Sequence, residues 1–261
     1  MTEITPLFFC VAAFAVFFVA LAKAGFGGMI GSLGMPLVAA VSDIPTAIAV
    51  LLPTYIMMDV IVAIIYRKAV DFRLLWPMAL WGVAGVYLAA VVFDRINPDG
   101  LAIMLGAMSL LLGLKFFRNR LGGQSRSTPI ADTGKPQWYR TIALTGGSGF
   151  TSFFLMGEAP VQAFLLPYRL MPQVYVAVLV WFFFIVNFVK IPIVLSMGLV
   201  TRDSLWISLL LLPIMPLGIA VGKYIATRIA KDPFYIIVHL LLIVLGSYLI
   251  ASSAWTLSVG A

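Results

Sequence analysis

Long apolar runs separated by short polar turns set the pattern of this chain. Pro6 to Ala22 is apolar and aromatic and ends at Lys23. Pro45 to Tyr66 is a full-length run, interrupted by Pro53 and Asp59, and it closes in the basic turn Arg67-Lys68. Arg73 to Phe93 and Leu101 to Phe117 follow, divided by the polar turn from Asp94 to Gly100. Val174 to Gly198, Ser204 to Tyr224 and Pro233 to Trp255 complete the series. Each is near the roughly 20 residues that a helix needs to cross a bilayer, so each predicts a membrane span.

Two stretches depart from this pattern. Ala24 to Pro36 (AGFGGMIGSLGMP) and Thr145 to Pro160 (TGGSGFTSFFLMGEAP) put glycine and proline where a membrane helix would carry leucine. Glycine admits close backbone approach and proline removes an N–H, so both are predicted to bend or break within the membrane. In the second, Thr141 to Leu155 and Gly157 to Tyr168 are short for full spans and read as hairpin arms meeting near Gly157 and Glu158.

Composition narrows the class. At 62% hydrophobic and 10% charged residues over 261 positions, with a mean hydropathy of +1.09, the chain lacks the polar surface of a soluble globule. The net charge of +7 does not point to nucleic acid, because Lys and Arg lie mostly between the apolar runs, where they set orientation. Cys10 alone excludes an internal disulfide or a paired-thiol relay. No cofactor is expected. The first run has no basic leader and continues into further spans, so it reads as a retained helix.

From Arg118 to Arg140 the sequence is polar, basic and rich in Gly, Ser and Pro, and divides the chain into a first membrane repeat (1–118), a linker (119–140) and a second repeat (141–261). The halves correspond in order: Pro36 with Pro160, Ala69-Val70-Asp71 with Leu199-Val200-Thr201, Pro77 with Pro213, Gly82 with Gly218, Pro98 with Pro233. Each holds a Gly/Pro-broken hairpin plus three transmembrane helices, an odd number of crossings, so the repeats run in opposite directions. The expected architecture is an all-α polytopic membrane protein of two inverted repeats with about eight to ten membrane segments. With the N-terminus outside, the inside receives Lys23, Arg67, Lys68, Arg73, Lys115, Arg118, Arg120, Arg126, Lys135, Arg140, Arg169, Lys223, Arg228 and Lys231; the outside receives Arg95 and Arg202. By the positive-inside rule the linker is cytoplasmic and both termini are periplasmic or extracellular.

The run Gly25 to Pro36, the turn Lys68-Ala69-Val70-Asp71 leading to Gly82 and Gly85, the segment Gly146 to Phe150, and the turn Met197-Gly198-Leu199-Val200 followed by Gly218 and Gly222 together resemble the TauE/SafE sulfite exporter family. The resemblance covers roughly Ala12 to Ile250. It implies a bacterial-type inner-membrane permease, not an enzyme, for sulfite, sulfonates, thiosulfate or related sulfur anions. The family's second glycine stretch has more consecutive glycines before its proline, where this chain has Met156-Gly157-Glu158-Ala159.

A small oxyanion leaving water needs donors, and backbone N–H groups near glycines at half-helix ends supply them. Gly25, Gly27, Gly28, Gly31, Gly34, Gly146, Gly147 and Gly149 are candidates, and Ser32 and Ser148 add hydroxyls. Ionisable groups inside a membrane are costly, which singles out Asp59, Lys190 and Glu158. The repeat offset puts Asp59 opposite Val189, beside Lys190, so Lys190 is read as attracting the anion, with Asp59 pairing with it or carrying a proton. Asn187, one turn before Lys190, shares its face. A fixed structural ion pair is the plainer reading of the same residues. The expected activity is alternating-access transport, with protons as the candidate coupling ion and the bilayer as surroundings. The competing readings are a passive anion channel, a non-transporting assembly partner, and an intramembrane serine protease using Ser148 and His239.

Overall fold

The computed structural model describes residues 5–25, 31–121, 138–226 and 231–259. Among these the structure is helical throughout: α1 (Pro6–Gly25), a 3-10 turn (Gly31–Leu33) into α2 (Gly34–Ala39), α3 (Ile44–Tyr66), α4 (Phe72–Arg95) and α5 (Pro98–Leu121). The second half has α6 (Trp138–Thr141), a π-helical turn (Ile142–Gly146), α7 (Gly147–Phe153), α8 (Glu158–Leu165), α9 (Pro172–Ser196), α10 (Arg202–Leu211), α11 (Ile214–Ala226) and α12 (Lys231–Val259). Among the described residues six helices are long and apolar enough to span a membrane, and α10 and α11 together are apolar and long enough as a pair bent by 41°. The protein is a multi-pass membrane protein.

Local chemistry explains the helix starts. Asp43 accepts a hydrogen bond from the Thr46 N–H at 2.7 Å, with Pro45 in the first turn of α3. Asp71 caps α4 through the N–H groups of Arg73 and Leu74, and Thr201 caps α10 in a reciprocal box with Ser204. Asp71 and Thr201 are the positions that correspond between the halves, so both turns perform the same capping task.

Packing exchanges equivalent elements. α1 lies on α11 as α4 lies on α7, α10 meets α3 as α4 meets α9, and α3 and α9 cross at the middle. α5 and α12 pack together. This arrangement is consistent with a two-fold relation between the halves. The α4–α7 crossing is close because glycines face one another: a Cβ on Gly149 would lie 1.8 Å from the Gly82 carbonyl oxygen, and one on Gly85 2.0 Å from that of Gly146. Trp76, Leu80, Tyr87, Leu111, Leu210 and Leu217 are exposed, the expected surface of a bundle that meets lipid.

One span differs from its sequence reading. Ser204 to Tyr224 is expected as an ordinary helix, but the chain breaks between α10 and α11 at Leu212-Pro213, whereas Pro77, its counterpart, lies inside an unbroken α4. Proline removes one backbone donor in both places, and whether the helix yields depends on its neighbours.

Candidate functional site

The last turn of α1, the middle of α3, the break between α7 and α8, and the middle of α9 converge on a polar centre. Asp59 on α3 is 1% exposed, and its Oδ1 accepts a hydrogen bond from Lys23 Nζ at 2.5 Å. Its Oδ2 accepts from Asn187 Nδ2 at 2.6 Å. The Asn187 carbonyl oxygen accepts in turn from Lys190 Nζ at 2.6 Å. This orients the amide, since only one placement of its oxygen and nitrogen serves a carboxylate and an ammonium together. Lys190, 0% exposed, also donates to Ser152 Oγ at 2.8 Å and to the Ser152 carbonyl oxygen. The result is a continuous chain, Lys23–Asp59–Asn187–Lys190–Ser152, linking α1, α3, α9 and α7.

Its position follows from the second glycine stretch. α7 stops at Phe153 and α8 starts at Glu158, with Leu155 held in the left-handed region at φ 55°. The amides of Phe154, Leu155 and Met156 turn back to the carbonyls of Thr151 and Ser152, closing the helix end. A cation is favoured where carbonyls gather at a helix C-terminus, and Lys190 lies against that end. Ser148 donates to the Gly157 carbonyl at 2.6 Å, tying the two arms of the break. The hairpin turns near Gly157 and Glu158, where the sequence predicts it.

The two glycine stretches meet at Glu158. Ser32 Oγ donates to Glu158 Oε2 at 2.8 Å, and a Cβ on Gly31 would fall 2.8 Å from Oε1. Two cations and two carboxylates are therefore gathered in the bundle interior, where unpaired charge is expensive. Two small cavities adjoin them, of about 20 Å³ beside Lys23, Asp59, Glu158 and Phe183 and about 10 Å³ beside Lys23, Tyr55, Ser152, Glu158 and Asn187. Each has room for about one water.

The structure brings Asp59, Asn187, Lys190, Glu158 and Ser32 together. Asp59 and Lys190 do not touch directly: Asn187 stands between them, and the direct partner of Asp59 is Lys23. Lys23, which closes the first apolar run in the sequence, lies in the last turn of α1, which continues to Gly25, and is turned toward Asp59. Gly34 and Gly31 admit side chains of facing helices, and Gly25 ends α1. Gly27 and Gly28 lie outside the described residues. Gly146, Gly147 and Gly149 sit within a continuous helical run from Trp138 to Phe153, not at a free half-helix end. The Gly147 N–H is committed to the carbonyls of Ala143 and Leu144. Ser148 and His239 are engaged apart from each other: Ser148 with Gly157, and His239 with the Tyr235 carbonyl and, stacked at 3.9 Å, with Phe116. Among the described residues no three His, Cys, Asp or Glu side chains gather to hold a metal ion.

Sequence reasoning missed Lys23, Tyr55 and Ser152. Tyr55 carried a visible signal, lying one helical turn before Asp59 on the same face. Lys23 carried none, because a lysine closing an apolar run looks the same whether it enters solvent or the bundle.

Against known proteins, the family model described as Sulfite exporter TauE/SafE matches residues 12–249. No curated protein and no solved structure matches the chain.

Proposed function

The chain belongs to the sulfite exporter TauE/SafE family of membrane transporters, and from that premise we propose that it is a secondary transporter carrying sulfite, thiosulfate or an organosulfonate by alternating access. The observation that carries this reading is the polar centre, where the break between α7 and α8 meets helices of the first half beside paired charges in the bundle interior. Broken helices and intramembrane ionisable groups are the usual marks of a transport site. The small cavities at the centre, each with room for about one water, support a carrier that rearranges around its ligand over a wide pore.

Charge counting favours proton coupling. Lys23 and Lys190 balance Asp59 and Glu158, so an entering monoanion, such as hydrogensulfite or a simple organosulfonate, leaves the centre one negative charge in excess. A proton taken up on Asp59 or Glu158 restores the balance. Lys190 and Lys23 then supply the positive field, and Asn187 polar lining, that draw the anion in. The reading also puts the linker in the cytoplasm, both termini outside, and the protein in the inner membrane. The pairing of α1 with α11 and of α4 with α7 supports two oppositely directed repeats.

The test is uptake into proteoliposomes of sulfite, thiosulfate, sulfoacetate and sulfate under pH gradients of both signs. Gradient-dependent accumulation of a sulfur oxyanion is expected, and Asp59→Asn should keep exchange while losing accumulation. Flux that ignores the gradient and never exceeds equilibrium would identify a channel. Cysteine labelling that finds the linker on the same side as both termini would overturn the inverted topology.

A further inference from the structure

The two lysines of the centre, Lys190 buried and Lys23 partly so, are not equivalent as anion ligands. An ammonium has three donor hydrogens, and Lys190 meets three acceptors: Ser152 O, Ser152 Oγ and Asn187 Oδ1. Lys23 meets one, Asp59 Oδ1, among the described residues. Its ammonium also lies 5.2 Å from the centre of the Tyr55 ring. The Tyr55 hydroxyl is buried, the residue being 2% exposed, and has no hydrogen-bond partner among the described residues. A buried hydroxyl left unpartnered is destabilising and normally excluded. Here the backbone makes room for it: a Cβ on Gly34 would lie 2.3 Å from the Tyr55 oxygen. Tyr55, Lys23 and Asn187 line the same small cavity.

The geometry points to a seat for one small oxyanion formed by the Lys23 ammonium and the Tyr55 hydroxyl, with Lys190 acting as a positioning residue that holds Asn187 and the end of α7. The seat deepens the transport reading and rests on it. Its ligand is a pyramidal or tetrahedral oxyanion with at least one unprotonated oxygen, which accepts from the hydroxyl and from a spare hydrogen of Lys23. The cavity must widen to admit it, so seating the anion and opening the centre are one event.

Tyr55→Phe separates a ligand from a scaffold, because the hydroxyl contributes no bond to the resting protein. Purified full-length wild type and variant are compared for thermal unfolding in detergent, with and without sulfite, thiosulfate, sulfoacetate or sulfate, and for uptake in proteoliposomes. The variant should unfold at the same or a higher temperature without ligand. It should also lose the ligand-induced rise and show a KM raised at least about tenfold, the scale of one hydrogen bond to a charged group. A variant with wild-type KM and wild-type ligand-induced rise would overturn the seat. The double change Lys23→Met with Asp59→Asn removes both partners of the ion pair and should likewise abolish the ligand-induced rise. If that rise persists, the anion's cation is not Lys23 and the assignment fails. Ligand-induced stabilisation of the wild type without any flux would leave the seat standing and the transport reading refuted. No stabilisation by any of the four would refute the seat, whatever the flux.

Discussion

On the α7–α9 side of the polar centre the cation is saturated; on the α1–α3 side it is not. Lys190 is bound by both oxygens of Ser152 and by Asn187, at the end of a helix that is itself sealed against α4. Among the described residues Lys23 holds one carboxylate oxygen, beside a tyrosine hydroxyl with no partner. A charge whose donors are all met is fixed in place by the low dielectric that would punish its release. A charge with donors in hand can take a new partner without abandoning the old. The two sides resemble each other in residue type and differ in what remains to be satisfied.

The comparison breaks first, and with the largest effect, at Lys190. Lys190→Met strands the Ser152 hydroxyl and the Asn187 oxygen, leaves the Ser152 carbonyl only its bond from the Leu155 N–H, and should cost about 3–5 kcal/mol with complete loss of flux, read by unfolding in detergent and by proteoliposome uptake. Retained stability with lost flux would make Lys190 a ligand after all. Adding Asp59→Asn should not restore flux, because Asn187 stands between the two charges. Lys23→Met added to Asp59→Asn should instead recover stability relative to Asp59→Asn alone, since those two are direct partners.

The next largest effect tests the rigid side through its helix crossing. Gly149→Ala drives a methyl into the Gly82 carbonyl and should cost about 1–3 kcal/mol, with reduced uptake as α7 shifts. Ser148→Ala frees the Gly157 carbonyl and should cost about 1 kcal/mol in the same unfolding measurement. Smallest is Gly147→Ala, where a Cβ meets open space: stability should stay level or rise by up to about 1 kcal/mol. Similar losses at Gly147 and Gly149 would mean that the α4–α7 crossing is not what holds this side.

Much of the outcome was legible in the chain itself. Apolar runs near the length of a bilayer specify membrane helices, because only a helix satisfies the backbone donors of a single segment in lipid from within that segment. Asp43, Asp71 and Thr201 announce helix starts by chemistry confined to a few residues. The break at Gly157 and Glu158, and the exceptional charges Asp59, Glu158 and Lys190, stand out against their apolar surroundings. Tertiary structure decided the rest. It brought Lys23 inside, set Asn187 between Asp59 and Lys190, bent the chain at Pro213 while leaving Pro77 in a continuous helix, and turned glycines that look like anion donors into the contact surface of α4 and α7. Each of those outcomes depends on which distant helix arrives alongside. Local sequence sets what a residue is able to do, whereas burial, partner and room are properties of the packed bundle.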